Sequence, residues 1–240
     1  MPDVVIKPSR RVNEAAISGP VLFFVNPGDV APIASAAKRL KAIRHPLFYS
    51  NLFEIPGQTS IWWAGPALGS PAAVMVLEKL IACGATKIIV HGCCGSLGEA
   101  LRAGEIFMPV SAFSEEGTSS HYPLSHSIAP HEELHQQVVK QLSANGYPVK
   151  EGAVWTTDAP YRETRAKILA YNGQGIMAVD MEFSALAAVA AFRNVRLASV
   201  MLVSDELYHQ SWRPLFQTKG FKRKSKEIFL LLSRIACNLI

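Results

Sequence analysis

Two apolar stretches that end in acidic residues determine how the rest of this chain is arranged. Residues 177–186 read Met-Ala-Val-Asp-Met-Glu-Phe-Ser-Ala-Leu, and residues 198–207 read Ala-Ser-Val-Met-Leu-Val-Ser-Asp-Glu-Leu. Isolated acids are costly to bury, so acids at the ends of buried strands are either paired or face solvent. In open α/β sheets, ligands bind in the crevice outside the carboxyl ends of the strands. The pattern therefore favours a ligand site at Glu182 and Asp205, although Ser204 or Asp205 capping a following helix is the alternative.

Length and composition indicate a single soluble domain. The chain has 240 residues and 49% hydrophobic content, which is enough for one core. No apolar run approaches the roughly 18 residues of a membrane span, and the first residues lack the shape of a signal peptide. We therefore expect a cytoplasmic protein. The cysteines match neither a metal-ligand spacing nor a disulfide framework, so we expect reduced core residues at Cys83, Cys93, Cys94 and Cys237.

The net charge of +5 does not indicate a nucleic-acid partner. Much of the excess lies late in the chain, without a binding motif and with one interleaved aromatic residue. The basic residues concerned are Lys219, Lys222, Arg223, Lys224 and Lys226. They are typical of the solvated face of a C-terminal helix, whose apolar face would bury Ile228, Leu231, Leu232 and Ile235.

Strand and helix patterns alternate along the chain, which predicts an α/β fold. We expect strands at residues 21–25, 87–91, from 102 onward, 149–156, 177–180 and 198–203. A hairpin should join residues 48–55 with 60–64. We expect helices at 30–43, 71–83, 131–144 and 163–169. A glycine-rich turn, Gly-Cys-Cys-Gly-Ser-Leu-Gly at residues 92–98, follows one of these strands. Its spacing does not fit a dinucleotide fingerprint, but its backbone N–H groups could approach an anion.

The two acidic stretches resemble the signature segments of a known family. Val-Asp-Met-Glu-x-Ser-Ala and Val-Ser-Asp-Glu are similar to those of the nucleoside phosphorylases, which include purine nucleoside phosphorylase, uridine phosphorylase and related nucleosidases. Residues 101–106 also resemble the family segment Leu-x-x-Gly-Asp-Ile. The likeness extends over residues 21–235. It implies one domain over 1–240, with an N-terminal arm at 1–18, and a three-layer α/β/α fold around a mixed, partly barrel-like sheet.

The resemblance implies cleavage of the N-glycosidic bond of nucleosides. Glu182 would accept hydrogen bonds from the ribose hydroxyls, Met181 would form an apolar floor under the sugar, and Asp205 would share a proton with a purine nitrogen. A purine is favoured because its N7 is placed for such a donor. His121 would lie near the sugar and the neighbouring subunit. The loop that contacts the base would contribute Thr157, Asp158, Tyr161 and Arg162.

The phosphate site departs from the family pattern. Phosphorolytic members carry Gly-Asp-Pro-x-Arg after the first strand, and here Asp29 stands about where the arginine is expected. A second family arginine aligns with Val90 or His91. The candidates for a phosphate or water site are Asp29, His91, Gly92, Cys93 and Cys94, with Arg44 and Arg162 as further phosphate ligands. An acid that faces phosphate repels it.

Three hypotheses therefore stay open at the level of sequence. The first is a phosphorylase with an atypical phosphate site, the second is a nucleosidase whose water is activated by Asp29, and the third is a nucleoside-binding protein without turnover. In each case we expect no metal, no cofactor beyond phosphate as a co-substrate, and a homo-oligomer, either a dimer or a hexamer.

Overall fold

A computed structural model describes residues 4–57 and 61–239 of the chain. Its strands are β1 Val21–Phe24, β2 Ile43–Leu47, β3 Ser50–Ile55, β4 Ile61–Gly65, β5 Lys87–Ser96, β6 Ile106–Ser114, β7 Val149–Thr156, β8 Ile176–Asp180, β9 Arg196–Glu206 and β10 Arg213–Pro214. Its α-helices are α1 Val30–Arg39, α2 Ser70–Ala82, α3 Glu132–Ala144, α4 Arg165–Gly173, α5 Phe183–Phe192 and α6 Lys219–Asn238. Single 3-10 turns occupy Pro27–Asp29, Ser119–His121 and Pro160–Arg162.

The strands form one mixed sheet, part of which closes into a barrel. The order is β10-β9-β6-β7-β8-β5-β1-β4-β3-β2, and β9 also pairs with β5. Strands β5, β9, β6, β7 and β8 therefore form a closed ring, while β1, β4, β3 and β2 extend it as an open sheet. The β5–β9 pair is parallel and the β5–β8 pair is antiparallel, so β5 lies between the two strands that carry the acidic stretches. This confirms the predicted mixed, partly barrel-like sheet.

Helices cover both faces of the sheet, as the three-layer prediction requires. One buried cluster joins the sheet to α2 and α5, with Leu77 and Leu186 among its members. The other joins it to α1, α3 and α6, and includes the four residues predicted for the apolar face of the C-terminal helix. Both faces of the central strands are buried, which explains why those strands are continuously apolar. No helix in the described ranges is long and apolar enough to cross a membrane.

Several element boundaries differ from the sequence expectations: β3 starts at Ser50 and not at 48, β6 starts at Ile106 and not at 102, and α4 spans Arg165–Gly173 and not 163–169. The glycine-rich segment is not a turn, because β5 continues to Ser96 with neighbours on both sides. Helix α1 ends at Arg39 rather than 43, since Lys41 has a φ of 55° and the chain then enters β2, a strand the sequence did not indicate. Strand β9 continues to Glu206, so neither Ser204 nor Asp205 caps a helix. The predicted start of the second hairpin strand, at 60, lies outside the described residues.

The N-terminal arm contacts the C-terminal end of α2 without forming a helix or strand. Lys79 Nζ is 2.6 Å from a carboxylate oxygen of Glu14, and the Ile17 N–H donates to the Cys83 carbonyl at 2.8 Å. Residues 4–12 are exposed. The first three residues of the predicted arm lie outside the described ranges.

Candidate active site

The carboxylate of Asp180 fixes the turn between β8 and α5. Its Oδ2 accepts hydrogen bonds from the backbone N–H groups of Glu182 at 3.1 Å and Phe183 at 2.7 Å. Its Oδ1 accepts the hydroxyl proton of Thr156 at 2.6 Å. A side-chain acceptor for the first N–H groups of a helix stabilises its start. Asp180 thereby sets the position of the backbone from which Glu182 projects.

Glu182 is a buried carboxyl group held by the N-terminal end of α2. The Gly69 N–H donates to Glu182 Oε1 at 2.6 Å. Gly69 has a φ of 84°, a left-handed conformation that side chains disfavour, and this conformation presents its N–H to the carboxyl. Burial, and then the charge of Asp180, raise the pKa of Glu182 to about 8. An incoming hydroxyl group therefore meets a carboxyl group whose protonation changes near neutral pH.

A second buried carboxylate, Glu116, supports this region from the loop after β6. Its Oε1 accepts the hydroxyl protons of Ser114 and Ser184, both at 2.8 Å, and its Oε2 accepts the Ser119 N–H at 3.1 Å. Burial acts to raise the pKa of Glu116, but the hydrogen bonds from these serines outweigh it and leave the pKa lowered. Glu116 thus links the loop to the first turn of α5 beneath Glu182.

Asp205 lies near the end of β9, beside β5. Its Oδ1 accepts the hydroxyl proton of Ser204 at 2.6 Å, and its Oδ2 accepts the indole N–H of Trp212 at 2.8 Å. Gly95 is its partner in the register of β5 and β9. A Cβ on Gly95 would lie 3.4 Å from Asp205 Oδ2 and only 2.6 Å from Leu207 Cδ1, so the absence of a side chain here lets Leu207 pack against β5.

The thiol of Cys93 shows that the predicted carboxylates converge. Burial raises its pKa most, and the charges of Asp29, Glu182 and Asp205 raise it further. The thiol is therefore near all three carboxylates, which come from separate segments of the chain, and β5 brings the two strand ends together because Gly95 pairs with Val179 of β8 and with Asp205 of β9. The Asn26 side-chain amide donates to Cys93 Sγ at 3.5 Å. Cys93 is therefore a neutral thiol inside the cleft, and these residues together define what we call the carboxylate cleft.

Asp29 and His91 meet on the α6 side of this cleft. Ser225 in α6 donates to Asp29 Oδ1 at 2.9 Å, and its oxygen lies 3.1 Å from His91 Nε2. His91 is fully buried, so its side chain does not reach the surface of the cleft. Burial lowers the pKa of His91, while the charge of Asp29 opposes this change. Asp29 precedes α1 but makes no capping hydrogen bond with its side chain.

The spacing around Asp29 also fits the family motif in a second register. When Gly28-Asp29 is aligned with the Gly-Asp of Gly-Asp-Pro-x-Arg, the arginine position falls on Pro32 and Asp29 matches the family aspartate. Pro32 lies in α1 and offers no charge to phosphate. In either register the arginine is absent.

The remaining predicted residues differ in how close they lie to the cleft. Met181 follows Asp180 directly, and its carbonyl accepts the Ser70 hydroxyl proton at 2.7 Å. Thr157 is buried, and its N–H donates to the Asp180 carbonyl at 3.0 Å. Asp158 accepts the Gly117 N–H at 3.0 Å. The side chains of two further loop residues project into solvent, namely Tyr161 and Arg162.

The two other predicted positions on β5 lie close to the cleft through their backbone. Cys94 is buried, and its carbonyl oxygen lies 3.1 Å from the Ser204 hydroxyl oxygen, the group that also contacts Asp205. A Cβ on Gly92 would lie 3.0 Å from the Val25 side chain, so this glycine allows β5 and the end of β1 to approach closely.

His121 lies on a separate feature, a wide groove of about 1540 Å³. The N-terminal arm, β2 and the exposed side of α2 form its walls, and Arg44, Phe48, Met75, His121 and Tyr122 are among its lining residues. The Tyr122 hydroxyl donates to Glu78 at 3.1 Å, and Arg193 binds the same carboxylate through two nitrogens at 2.8 and 2.9 Å. We refer to this feature as the arm groove. It starts one helical turn beyond Gly69, the residue that binds Glu182.

The sequence did not identify four residues that the structure brings to the cleft. Gly69, Asn26 and Trp212 contact Glu182, Cys93 and Asp205 through the hydrogen bonds given above. The fourth, Glu163, lies near Asp205, and burial together with the Asp205 charge raises its pKa to about 7. Trp212 follows β9 in a stretch without periodicity, so no sequence signal marks it. Glu163 lies in the polar loop that was recognised, but its pattern indicated a helix start.

Comparisons with known proteins agree with this geometry. A family model described as the phosphorylase superfamily matches residues 22–235. A guanosine phosphorylase of Halorubrum lacusprofundi is 21% identical over 98% of both chains. A DeoD-type purine nucleoside phosphorylase of Brevibacillus brevis is 27% identical over 60% of this chain and 62% of its own.

Solved structures show the same fold. A purine nucleoside phosphorylase of Toxoplasma gondii superposes with a TM-score of 0.83 at 18% identity, covering 100% of this chain and 98% of its own. A uridine phosphorylase of Vibrio fischeri superposes with a TM-score of 0.79 at 19% identity, covering 98% and 99%. The family model covers most of the chain, and the acidic ends of β8 and β9 come together in space as the resemblance requires. The chain therefore belongs to the phosphorylase superfamily, within its nucleoside phosphorylase family.

Proposed function

We propose that this protein cleaves the N-glycosidic bond of purine nucleosides by phosphorolysis and thereby acts in purine salvage in the cytoplasm. The observation that carries the proposal is the convergence of Glu182 and Asp205 on Cys93. In this proposal the two carboxyl groups serve the two ends of one substrate: Glu182 binds the sugar and Asp205 binds the base. The guanosine and purine nucleoside phosphorylases among the relatives support a purine over a pyrimidine.

Glu182 is suited to the ribose hydroxyls. A 2′- or 3′-hydroxyl donates to an ionised carboxylate better than to a neutral carboxyl, because the hydrogen bond is then charge-assisted. The negative charge also stabilises positive charge that develops on the sugar ring in the transition state. Met181 would lie under the sugar as an adaptable apolar surface.

Asp205 is suited to the base. It lies beside Gly95 of β5, and its charge, like that of Glu182, acts on the Cys93 thiol. The loop with Thr157, Asp158, Tyr161 and Arg162 would cover that ring, and the exposed aromatic ring of Tyr161 is available for stacking. Protonation of a purine nitrogen makes the base a better leaving group.

Phosphate would enter beside Cys93, between the carboxylates. The family arginine is missing there, so the backbone of Gly92 to Gly95 and the basic residues Arg44 and Arg162 are the candidate phosphate ligands. Arg44 lies on the arm groove and donates to Asn51 at 3.1 Å. Within a single subunit, Arg44 therefore forms part of the wall of the arm groove.

Hydrolysis is the second candidate function, and Asp29 favours it. Among the described residues, Asp29 Oδ2 is buried and accepts no hydrogen bond, while Oδ1 is bound to Ser225. A free carboxylate oxygen near Cys93 could orient a water molecule towards the sugar. A binding protein without turnover is the third candidate, and the convergence of two carboxyl groups does not by itself separate it from the other two.

Product analysis tests all three. The purified protein is incubated with inosine, guanosine and adenosine, with and without phosphate, and the sugar products are separated. Ribose 1-phosphate formed only with phosphate supports the proposal, and free ribose in both conditions establishes hydrolysis. Absence of free base from every nucleoside, together with nucleoside binding measured by calorimetry, establishes a binding protein. Asp205→Asn serves as the inactive control in each incubation.

We also propose that the arm groove is a subunit boundary. Its walls expose apolar side chains at Val4, Ile6, Phe48 and Met75, next to His121 and Tyr122. A second copy in this groove would bring Arg44 and His121 to a neighbouring subunit. Light scattering at micromolar concentration should give at least a dimer, and a monomer at that concentration would contradict this assignment.

A further inference from the structure

Glu116 is a buried carboxylate to which the proposed reaction gives no task. It is 6% exposed, and each of its oxygens accepts two hydrogen bonds from neutral groups. Oε1 binds the hydroxyls of Ser114 and Ser184, and Oε2 binds the N–H groups of Thr118 at 2.5 Å and Ser119 at 3.1 Å. A carboxylate offers about four acceptor sites, so these donors leave none for a ligand. Its role therefore lies in the elements that these bonds join.

The hydrogen bonds of Glu116 join two elements that are distant in the sequence. Ser114 is the last residue of β6, and the two backbone donors lie in the loop that leads into the 3-10 turn Ser119–His121. Ser184 lies in the first turn of α5, and its side chain is fully buried. Glu116 thus fastens the loop after β6 to the helix start that follows Glu182.

A continuous chain of hydrogen bonds leads from Glu116 to the backbone of Glu182. The Ser184 N–H donates to Thr156 Oγ1 at 3.1 Å, and the Thr156 hydroxyl donates to Asp180 Oδ1 at 2.6 Å. Asp180 Oδ2 then accepts the Glu182 N–H at 3.1 Å. The residues of this chain are all buried, so water does not compete for its bonds. Releasing the Ser184 side chain therefore loosens the turn from which Glu182 projects.

We propose that Glu116 is a positioning residue for ribose recognition, because it holds the first turn of α5 where the Glu182 carboxyl can meet the ribose hydroxyls. This inference rests on the proposed function, in which Glu182 accepts those hydrogen bonds. Hydrogen bonds weaken steeply when their geometry is poor, so a small shift of this turn weakens the contact with the hydroxyls. The contacts of the base with Asp205 come from another strand and are not affected. Loss of Glu116 should therefore reduce the discrimination between ribose and deoxyribose.

The test compares two hydroxyls that donate to the same oxygen of Glu116. Ser184→Ala removes the hydroxyl on α5 and Ser114→Ala removes the one on β6, and each of these hydrogen bonds is 2.8 Å long. Glu116→Ala removes the carboxylate, whereas Glu116→Gln keeps its shape and one acceptor oxygen. Values of kcat and KM are measured with phosphate for guanosine, 2′-deoxyguanosine and 3′-deoxyguanosine. Melting temperatures are recorded for every variant.

The wild type should prefer guanosine, because each deoxynucleoside lacks one hydroxyl that Glu182 binds. Ser184→Ala and Glu116→Ala should lower this preference in kcat/KM at least about fivefold, since a displaced carboxyl loses its charge-assisted bonds. Ser114→Ala should keep the preference within about twofold, because Glu116 stays bonded to α5. Glu116→Gln should recover part of the preference. If Glu116→Ala does not fold, Ser184→Ala decides the question, because alanine is favourable in a helix.

A purely structural role gives a different pattern. If Ser184→Ala and Glu116→Ala lower the melting temperature but keep the wild-type KM and the wild-type preference among the three nucleosides, Glu116 does not position Glu182. An equal loss of preference in Ser184→Ala and Ser114→Ala would overturn the link through α5. A wild type that uses all three nucleosides equally would also overturn the inference. If the wild type releases no base from any of them, the proposed function itself is wrong.

Discussion

The two strand ends that form the cleft hold their carboxyl groups in different ways. At the end of β8, three backbone N–H groups and the buried Thr156 hydroxyl hold Asp180 and Glu182. At the end of β9, Asp205 is held by its neighbour Ser204 and by Trp212, whose residue is 58% exposed. The sugar side of the cleft is therefore part of the core, whereas the base side depends on a surface segment.

This difference fits the two tasks that we propose. A ribose is the same in every nucleoside, so a rigid carboxyl group positioned by the backbone suits it. Bases differ, and a site completed by loops can adapt to them or exclude them. Changes at the β9 end should therefore act on the chemistry and leave stability almost unchanged. Changes at the β8 end should act on both.

The largest effect is expected from Asp205→Asn. The amide keeps the shape of the side chain but cannot relay a proton, so kcat for purine nucleosides should fall about 10² to 10⁴-fold. The melting temperature should change little, because Asp205 is partly accessible and one of its two neighbours can still bond to the amide oxygen. Steady-state kinetics and thermal unfolding measure the two effects. A fully active Asp205→Asn would remove the base side of the cleft from the mechanism.

Glu182→Gln should reduce activity and raise stability. We expect KM for nucleosides to rise and kcat/KM to fall about 10²-fold, since an amide binds ribose hydroxyls without charge. The folded pKa of Glu182 is raised to about 8 from the usual 4.5, so the native state retains a proton that the unfolded chain releases. The contribution of the Glu182 carboxyl to the free energy of unfolding therefore decreases as the pH rises from 4.5 to 8.

The glutamine variant lacks this titration and should be more stable at pH 8 by roughly 1–3 kcal/mol. Near pH 4 the difference should vanish, because the carboxyl is then protonated in both states. Urea unfolding of both proteins at pH 4, 6 and 8 measures the trend. A gap between the proteins that does not change with pH would contradict the raised pKa.

Asp180→Asn tests the support beneath Glu182. The change removes a charge that caps α5, and the amide can accept fewer of the three hydrogen bonds, so stability should fall by about 1–2 kcal/mol at pH 7. The charge of Asp180 also raises the pKa of Glu182, so the pH at which KM improves should shift to lower values. Thr118→Ala, which changes a residue outside the Asp180 hydrogen bonds, is a matched control for the pH effect. An unshifted KM profile would show that burial alone sets the pKa of Glu182.

The same contrast explains what could be predicted from the sequence. Glu182 follows its strand within a short, distinctive motif, so local spacing was enough to identify it. The closed ring was predictable only through the resemblance, because nothing local shows that β9 pairs with both β5 and β6. Trp212 reaches Asp205 through a tertiary contact of an irregular segment, and such contacts leave no periodic pattern in the sequence. The sequence predicted a turn where β5 in fact continues through Gly92 and Gly95. In sequence, glycines that let strands pack closely cannot be distinguished from glycines of a turn.

The smallest effect is expected from Trp212→Phe, which removes one donor from the β9 end and keeps an aromatic ring. Asp205 Oδ2 then loses its indole N–H at 2.8 Å, and its orientation toward the base is held by Ser204 alone. Activity should fall about three- to tenfold, since one hydrogen bond to a charged group contributes roughly 1.5–3 kcal/mol and water replaces part of it at this exposed position. Stability should change by less than about 0.5 kcal/mol. Phe216→Leu is the matched control, because it removes the ring that packs against Trp212, with centroids 5.8 Å apart, but keeps the N–H donor. If Phe216→Leu lowers activity as much as Trp212→Phe, the packing of this segment and not its hydrogen bond to Asp205 controls the base side of the cleft.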